Sequence, residues 1–202
     1  MRRPTVSEDP TVFVVEDDPV VLRSLVALIE VVFPRVEAFV AASDFLAAYA
    51  PGRSGCLVLD VAMPRISGIE LQRRLAGELP IVFITGHGNV RMAVEAIQSG
   101  AVDFLEKPVS EQELWGSIQR ALERDEQNRR QKALRAEVRD RFHRLSRGEQ
   151  DVLSLILGGK HNKEIADELG LSVRTVEDRR ARIMTKMDVR TVAQLVQLAA
   201  TR

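Results

Sequence analysis

The sequence predicts a two-part protein: an α/β region with a doubly wound, five-stranded parallel sheet, followed by an all-α region. Short β-rich runs alternate with patterns of helical period over roughly the first 120 residues, as in βαβ units. Three of these runs are continuously apolar, which is typical of parallel strands covered on both faces. Beyond residue 110 the patterns are helical, so we expect helices alone there.

The α/β region alternates strands and helices in chain order. The predicted strands cover residues 11–15, 35–40, 56–60, 81–85 and 103–105. The predicted helices between them cover residues 20–30, 43–50, 68–76 and 90–99. Helices of about ten residues are typical of the crossovers that join parallel strands.

A long charged helix is predicted between the two regions. Ser110–Glu113 has the sequence SEQE, a capping box that opens a helix, and neither Gly nor Pro interrupts residues 117–147. Apolar residues recur at Leu134, Val138, Phe142 and Leu145. Two interpretations remain open: the helix is a solvated spacer, or its apolar stripe pairs with a second copy in a dimer.

The last region opens with a second capping box, SRGE at residues 146–149, and reads as four helices at 146–157, 162–169, 173–187 and 191–200. The tight turn at residues 170–172, with Ser172 as N-cap, gives the middle pair a helix-turn-helix layout. The third of these helices is predicted to place an apolar stripe on the core: Val173, Val176, Ile183, Met184 and Met187. Its other faces carry arginines and could enter a major groove, although an ordinary salt-bridged surface would look similar.

Composition and charge indicate which classes of protein this chain can belong to. The net charge of zero conceals an asymmetry, since residues 1–122 carry −5 and residues 123–202 carry +5, which suggests that the second half meets a polyanion. No apolar stretch approaches a membrane span, and MRRPTVSEDP lacks the apolar core of a signal peptide. The single cysteine, Cys56, excludes an internal disulfide. We therefore expect a cytoplasmic protein without a membrane partner.

Charged and polar side chains end the predicted strands. Glu16 and Asp17 follow the first strand, Asp60 ends the third, Thr85 ends the fourth, and Lys107 follows the fifth. Because the carboxyl ends of parallel strands share one edge of a sheet, these side chains should converge there. Oxygen-only ligands favour Mg²⁺, and a carboxylate beside Mg²⁺ and a lysine can attack phosphorus to form an acyl phosphate.

The roles at this edge differ. Asp60 stands alone at a central strand end and is the expected nucleophile, whereas Glu16 and Asp17 are better placed as metal ligands. Asp18 precedes Pro19 and is expected to cap the next helix instead.

Residues 11–122 resemble the receiver domain of bacterial two-component response regulators through VVEDD, LVLDVAMPRISGIEL, VFITGHG and AVDFLEKP, in family order and spacing. The resemblance implies a flavodoxin-like sheet of order 2-1-3-4-5 and phosphorylation of Asp60 by a sensor histidine kinase. It also implies Mg²⁺ held by Asp17, Asp60 and the backbone carbonyl of Ala62, with Glu16 acting through water.

The same resemblance implies the switching residues. Thr85 and the aromatic Phe104 would change position on phosphorylation, and Lys107, joined to Pro108 by a cis peptide bond, would pair with the phosphoryl group. Met63, Pro64 and Gly68 would shape the loop that exposes the phosphoacceptor.

Residues 145–200 resemble the LuxR-type helix-turn-helix of the NarL/FixJ regulators. The matching residues are Glu149, Val152, Leu153, Gly158, Asn162–Ala166, Leu169, Ser172, Thr175–Glu177, Arg180 and Lys186. The likeness implies that Lys163, Arg180 and Lys186 grip DNA phosphates. It implies that bases face Glu177, Asp178, Arg179 and Arg182. Gly148 and Arg179 depart from the family, where Arg and His respectively are common.

We expect three segments: a receiver domain over 1–122, a helical linker over 123–144 and a DNA-binding domain over 145–202. The resemblance implies a regulator that dimerises on phosphorylation and binds double-stranded promoter DNA. RNA polymerase would be a further partner. The resemblance does not imply an enzyme that acts on external substrates. Two alternatives remain. One is a Mg²⁺-dependent phosphohydrolase, disfavoured because Ala62 stands where such enzymes carry a second Asp. The other is a DNA-binding protein whose receiver serves only dimerisation.

Overall fold

The computed structural model describes residues 9–86 and 90–200. The last two residues of the VFITGHG motif, His87 and Gly88, lie outside the described residues. The chain divides between Asn128 and Arg129 into two compact units.

A five-stranded parallel sheet forms the centre of the first unit. Its strands are β1 (Thr11–Val15), β2 (Val36–Phe39), β3 (Gly55–Asp60), β4 (Ile81–Thr85) and β5 (Asp103–Glu106). Their order is β2-β1-β3-β4-β5, and all four neighbouring pairs are parallel. The predicted fold class and strand order are therefore confirmed.

Helices cover both faces of this sheet. They are α1 (Pro19–Glu30), α2 (Ala42–Ala48), α3 (Gly68–Leu75), α4 (Val90–Gln98) and the first part of α5 (Glu111–His143). Side chains alternate along each strand, so Phe13 joins one apolar core cluster and Val12 joins the other. Cys56 is fully buried in the second cluster, and burial raises the pKa of its thiol.

Helix α5 is a single uninterrupted helix of 33 residues. Its capping box is present, because the Ser110 hydroxyl accepts from Glu113 N at 3.3 Å and the Glu113 carboxylate accepts from Ser110 N at 3.3 Å. Val138 and Phe142 are buried in the core of the second unit, whereas Leu134 is 56% exposed. Leu145, just after the helix, is buried in the same core. Three of the four apolar residues that could have formed a dimer stripe are thus already packed within this chain.

The second unit is helical. After the end of α5 it contains α6 (Arg147–Leu157), α7 (Asn162–Leu169), α8 (Val173–Met187) and α9 (Val192–Ala200). The predicted capping box of α6 is present, and Ser172 caps α8 by accepting from Thr175 N at 3.1 Å. Gly170, in the left-handed region at φ 65°, ends α7 and allows the turn.

The predicted core stripe of α8 is only partly right. Val176, Ile183 and Met187 are fully buried, and Met184 is partly buried. Val173, predicted to face the core, is 42% exposed. It is the first residue of the helix.

Within residues 9–86 and 90–200, every helix is too short or too polar to cross a membrane.

Candidate functional site

The strand register brings the predicted acidic and basic residues to one edge of the sheet. Val15 pairs with Leu59, so the residues that follow them, Glu16 and Asp60, leave neighbouring strands at the same level. Thr85 ends β4 one residue beyond the partner of Asp60, and its carbonyl accepts from Lys107 N at 2.8 Å. The convergence expected at the carboxyl ends of the strands is observed.

A lysine ammonium lies between two buried carboxylates at this edge. Nζ of Lys107 is 2.6 Å from Oε2 of Glu16 and 3.4 Å from Oδ1 of Asp60. Glu16 is 3% exposed and Asp60 is 6% exposed, so little water reaches their charges. The ammonium supplies the countercharge that two crowded carboxylates require.

The pKa shifts reflect this crowding. Burial raises the pKa of Glu16, and the charge of Asp60 raises it further, although the hydrogen bond from Lys107 acts in the opposite direction. Burial acts to lower the pKa of Lys107, but its hydrogen bond to Glu16 and the two nearby carboxylate charges outweigh burial and raise it. The ammonium is therefore held in its charged form.

The same carboxylates could hold a divalent cation. Glu16, Asp17 and Asp60 each offer an oxygen atom, and these atoms lie within 4.8 Å of one another. Asp17 is exposed, which leaves an open side to the cluster. A set of oxygen donors without His or Cys fits a hard cation. Asp18 takes no part in the cluster: its side chain caps α1, accepting from Val20 N at 2.7 Å, as predicted.

The loop after Asp60 depends on a glycine. A Cβ added to Gly68, the first residue of α3, would lie 2.3 Å from the carbonyl oxygen of Asp60. Gly68 N also donates to Val61 O at 3.0 Å, which closes the loop. Met63 is buried in the core and anchors the other side of it. Ala62 is exposed between these anchors.

The two predicted switching residues lie on neighbouring strands. Thr85 is fully buried at the end of β4. Phe104 is partly buried on β5, with its ring centroid 6.1 Å from that of Phe83. The peptide bond between Lys107 and Pro108 is cis, as the family resemblance implied.

In the second unit, the residues expected to meet DNA fall into two groups. Lys163 on α7 is exposed, as are Glu177, Asp178 and Arg182 on α8, while Arg180 is partly buried. Helices α7 and α8 thus carry both positive and negative side chains among these residues.

The other two, Arg179 and Lys186, contact the start of α6. Nη1 of Arg179 donates to Gly148 O at 3.1 Å, and Nζ of Lys186 donates to Oε2 of Glu149 at 2.6 Å. The hydrogen bond from Lys186 lowers the pKa of Glu149. Sequence reasoning missed both contacts, because they join residues 31 and 37 positions apart. The only feature of the sequence that marked Glu149 was its place as the acidic third residue of the capping box that opens α6.

Two family models match the chain. Residues 12–119 match the response regulator receiver domain, and residues 143–199 match the luxR family of bacterial regulatory proteins. Together the two matches cover most of the sequence.

Full-length relatives share both regions. Nodulation protein W of Bradyrhizobium diazoefficiens is 43% identical over 193 residues, covering 94% of this chain and 85% of that protein. Transcriptional regulatory protein FixJ of Azorhizobium caulinodans is 41% identical over 195 residues, covering 95% of this chain and 92% of that protein. The solved structure of response regulator StyR is 43% identical with a TM-score of 0.84, covering 96% of this chain and all of that one. The chain therefore belongs to the NarL/FixJ-type response regulators of two-component systems, with a receiver domain followed by a LuxR-type DNA-binding domain.

Proposed function

We propose that Asp60 accepts a phosphoryl group from a sensor histidine kinase and that this controls dimerisation and binding of promoter DNA. The observation that carries the proposal is the position of Lys107, whose ammonium contacts both Glu16 and the buried Asp60. A lysine beside a carboxylate can neutralise the oxygens of an incoming phosphoryl group. Asp17 and Ala62, which are close in sequence to Glu16 and Asp60, are exposed, and this supports access of a donor to the site.

The transfer is a displacement at phosphorus. An oxygen of Asp60 forms the new O–P bond while the N–P bond of a phosphohistidine breaks, and the departing imidazole keeps the electron pair and takes up a proton. Lys107 would then exchange part of its contact with the carboxylates for a phosphoryl oxygen. Thr85 would donate its hydroxyl to another of those oxygens.

Magnesium is the cation that we assign to this site. Glu16, Asp17, Asp60 and the backbone carbonyl of Ala62 would hold it, Glu16 through water. The bound ion supplies positive charge to the oxygens of the phosphoryl group. The oxygen-only donor set of the cluster supports this assignment.

In the second unit, we propose that Glu177, Asp178 and Arg182 face bases while Lys163 and Arg180 contact phosphates. Lys163, Glu177, Asp178 and Arg182 are exposed and Arg180 is partly exposed, which supports their availability to DNA. Lys186, whose side chain is 37% exposed although bound to Glu149, is a further phosphate contact in this proposal. RNA polymerase is a further partner that membership of this family suggests.

The test is the intact mass after incubation with Mg²⁺ and acetyl phosphate. Wild type should gain one phosphoryl group and Asp60→Asn should gain none. Asp18→Asn is the matched control, because it removes a neighbouring carboxylate that caps α1, and it should still gain the group. Equal gain by wild type and Asp60→Asn would place the phosphoryl group elsewhere, and no gain by wild type would favour a receiver that serves only dimerisation.

A second measurement tests the coupling to DNA. In wild type, phosphorylation should raise the molar mass measured by light scattering, as dimers form. It should also change the affinity for a duplex selected from a random-sequence pool. Asp60→Asn should lose both responses and keep the unphosphorylated affinity.

A further inference from the structure

The guanidinium of Arg179 fills the space that a side chain at position 148 would occupy. Nη1 of Arg179 donates to the carbonyl oxygen of Gly148 at 3.1 Å. A Cβ added to Gly148 would lie 2.7 Å from Nη1 and 2.9 Å from Cζ of the same arginine. Such distances are shorter than real Cβ contacts, so any other residue at 148 would displace the guanidinium.

The backbone itself does not require a glycine there. Gly148 lies within the first turn of α6 and is not among the described residues with positive φ. Glycine loses more conformational freedom than alanine on folding, so a helix gains nothing from a glycine that its backbone does not need. The missing side chain therefore matters for the space that it leaves to Arg179.

Helix α8 meets the start of α6 at two points. Arg179 contacts Gly148, and two turns later on the same face of α8 Lys186 contacts Glu149. The second contact joins opposite charges. The first places a cation near the positive end of the α6 dipole, where a cation gains nothing. Helix stability alone does not explain an arginine at this position.

We propose that Gly148 and Arg179 form a latch that fixes the first half of α8 against α6 and so sets how its exposed face meets DNA. Arg179 is then a positioning residue, in place of the base contact that the family likeness implies. Glu177, Asp178 and Arg182 remain the side chains that face bases. The part of the inference that concerns DNA rests on the proposed function.

A double-mutant cycle in the full-length protein tests the latch. Gly148→Ala should raise the melting temperature of wild type less than its helix propensity alone would, or lower it, because the added methyl group expels the guanidinium. In an Arg179→Ala background the same substitution should raise it, because only the helix propensity of alanine remains. Gly116→Ala in α5, where the added Cβ would come no nearer than 3.4 Å to a side-chain atom, is the control and should raise the melting temperature in both backgrounds. An equal change with Gly148→Ala in both backgrounds would overturn the latch.

Binding to a duplex that wild type selects from a random-sequence pool tests the positioning role. Gly148→Arg should weaken binding about tenfold, and Gly148→Arg combined with Arg179→His, the residues common in the family, should restore it. Arg179→Ala should weaken binding evenly over single-base variants of the duplex. Loss of discrimination at a single base pair would mean a direct base contact and would overturn the positioning role.

The melting experiment and the DNA-binding experiment distinguish failure of the latch from failure of the proposed DNA binding. If wild type selects no duplex, the proposed DNA binding fails and the positioning role fails with it, while the melting cycle still decides whether the latch exists.

Discussion

Nζ of Lys107 lies 2.6 Å from Oε2 of Glu16, a carboxylate that is 3% exposed. Removing the lysine leaves that buried charge, and the nearby Asp60, without their cation. Because an uncompensated buried charge is costly, Lys107→Met should lower the free energy of unfolding by about 3 kcal/mol in EDTA. Mg²⁺ should restore part of the loss by supplying positive charge.

Urea unfolding followed by the fluorescence of Trp115 checks this prediction. Trp115 is the one tryptophan in the sequence and its indole donates to Leu28 O at 3.0 Å, so it reports on the first unit. Arg23→Met, which removes an exposed cation of α1 in the same unit, is the control and should change little. Equal stability of Lys107→Met and wild type in EDTA would contradict the assigned role.

Gly68→Ala should distort the site although it removes no functional group. The added Cβ would overlap the carbonyl oxygen of Asp60 at 2.3 Å, so the backbone must move. We expect a loss of about 2 kcal/mol in unfolding free energy, as for other overpacked positions, and slower phosphoryl uptake. Gly86→Ala at the end of β4, where an added Cβ meets open space, is the matched control for stability. The idea is wrong if both variants unfold alike.

The ion pair between Glu149 and Lys186 should make the second unit sensitive to acid. The pKa of Glu149 is lowered in the folded state, so the stability that the pair contributes is complete above the ordinary glutamate pKa, about 4.3. It is lost as the pH falls through the lower folded value. Lys186→Met should therefore destabilise by about 1–3 kcal/mol at pH 7 and much less near pH 3.

Urea unfolding followed by circular dichroism over this pH range measures the difference. Lys160→Met is the control, because Lys160 pairs with Glu168 on the surface, where both side chains are more than a third exposed. Exposed pairs contribute little, so its effect should stay within about 1 kcal/mol at every pH. A pH-independent effect of Lys186→Met would refute the assignment.

Asp125, which lies on α5, should stabilise the first unit. This residue is 4% exposed, and its Oδ2 accepts from Gly55 N at 3.0 Å and from Ser54 Oγ at 2.9 Å. Asp125→Ala would leave a buried N–H without an acceptor, at a cost of about 2 kcal/mol. Ser54→Ala removes only the hydroxyl donor and should cost less. Trp115 fluorescence again measures both, and a larger loss for Ser54→Ala would contradict this order.

Much of the fold could be predicted because local patterns determine it. The strands at Thr11–Val15 and Ile81–Thr85 have the predicted bounds, since continuous apolar runs end there at charged or glycine residues. Serine N-caps at 146 and 172 located two helix starts. The convergence of Glu16, Asp60 and Lys107 followed from the geometry of parallel sheets alone.

What could not be predicted depends on contacts between distant residues. Asp125 meets Gly55 across 70 positions, and no local pattern marks that pair. Val173 fits the helical period of a core residue but is exposed at the first residue of α8. Gly148 departs from the family, and no local pattern indicates that the guanidinium of Arg179 occupies the space of a side chain there.

The burial of Cys56 has a practical value for spectroscopy. The thiol is fully buried and its pKa is raised, so it should resist maleimide reagents in the folded protein. A cysteine introduced at an exposed position, such as Leu134, would then be the one reactive thiol among the described residues. Spin labels or fluorophores placed in this way could follow the response to phosphorylation in an otherwise native chain.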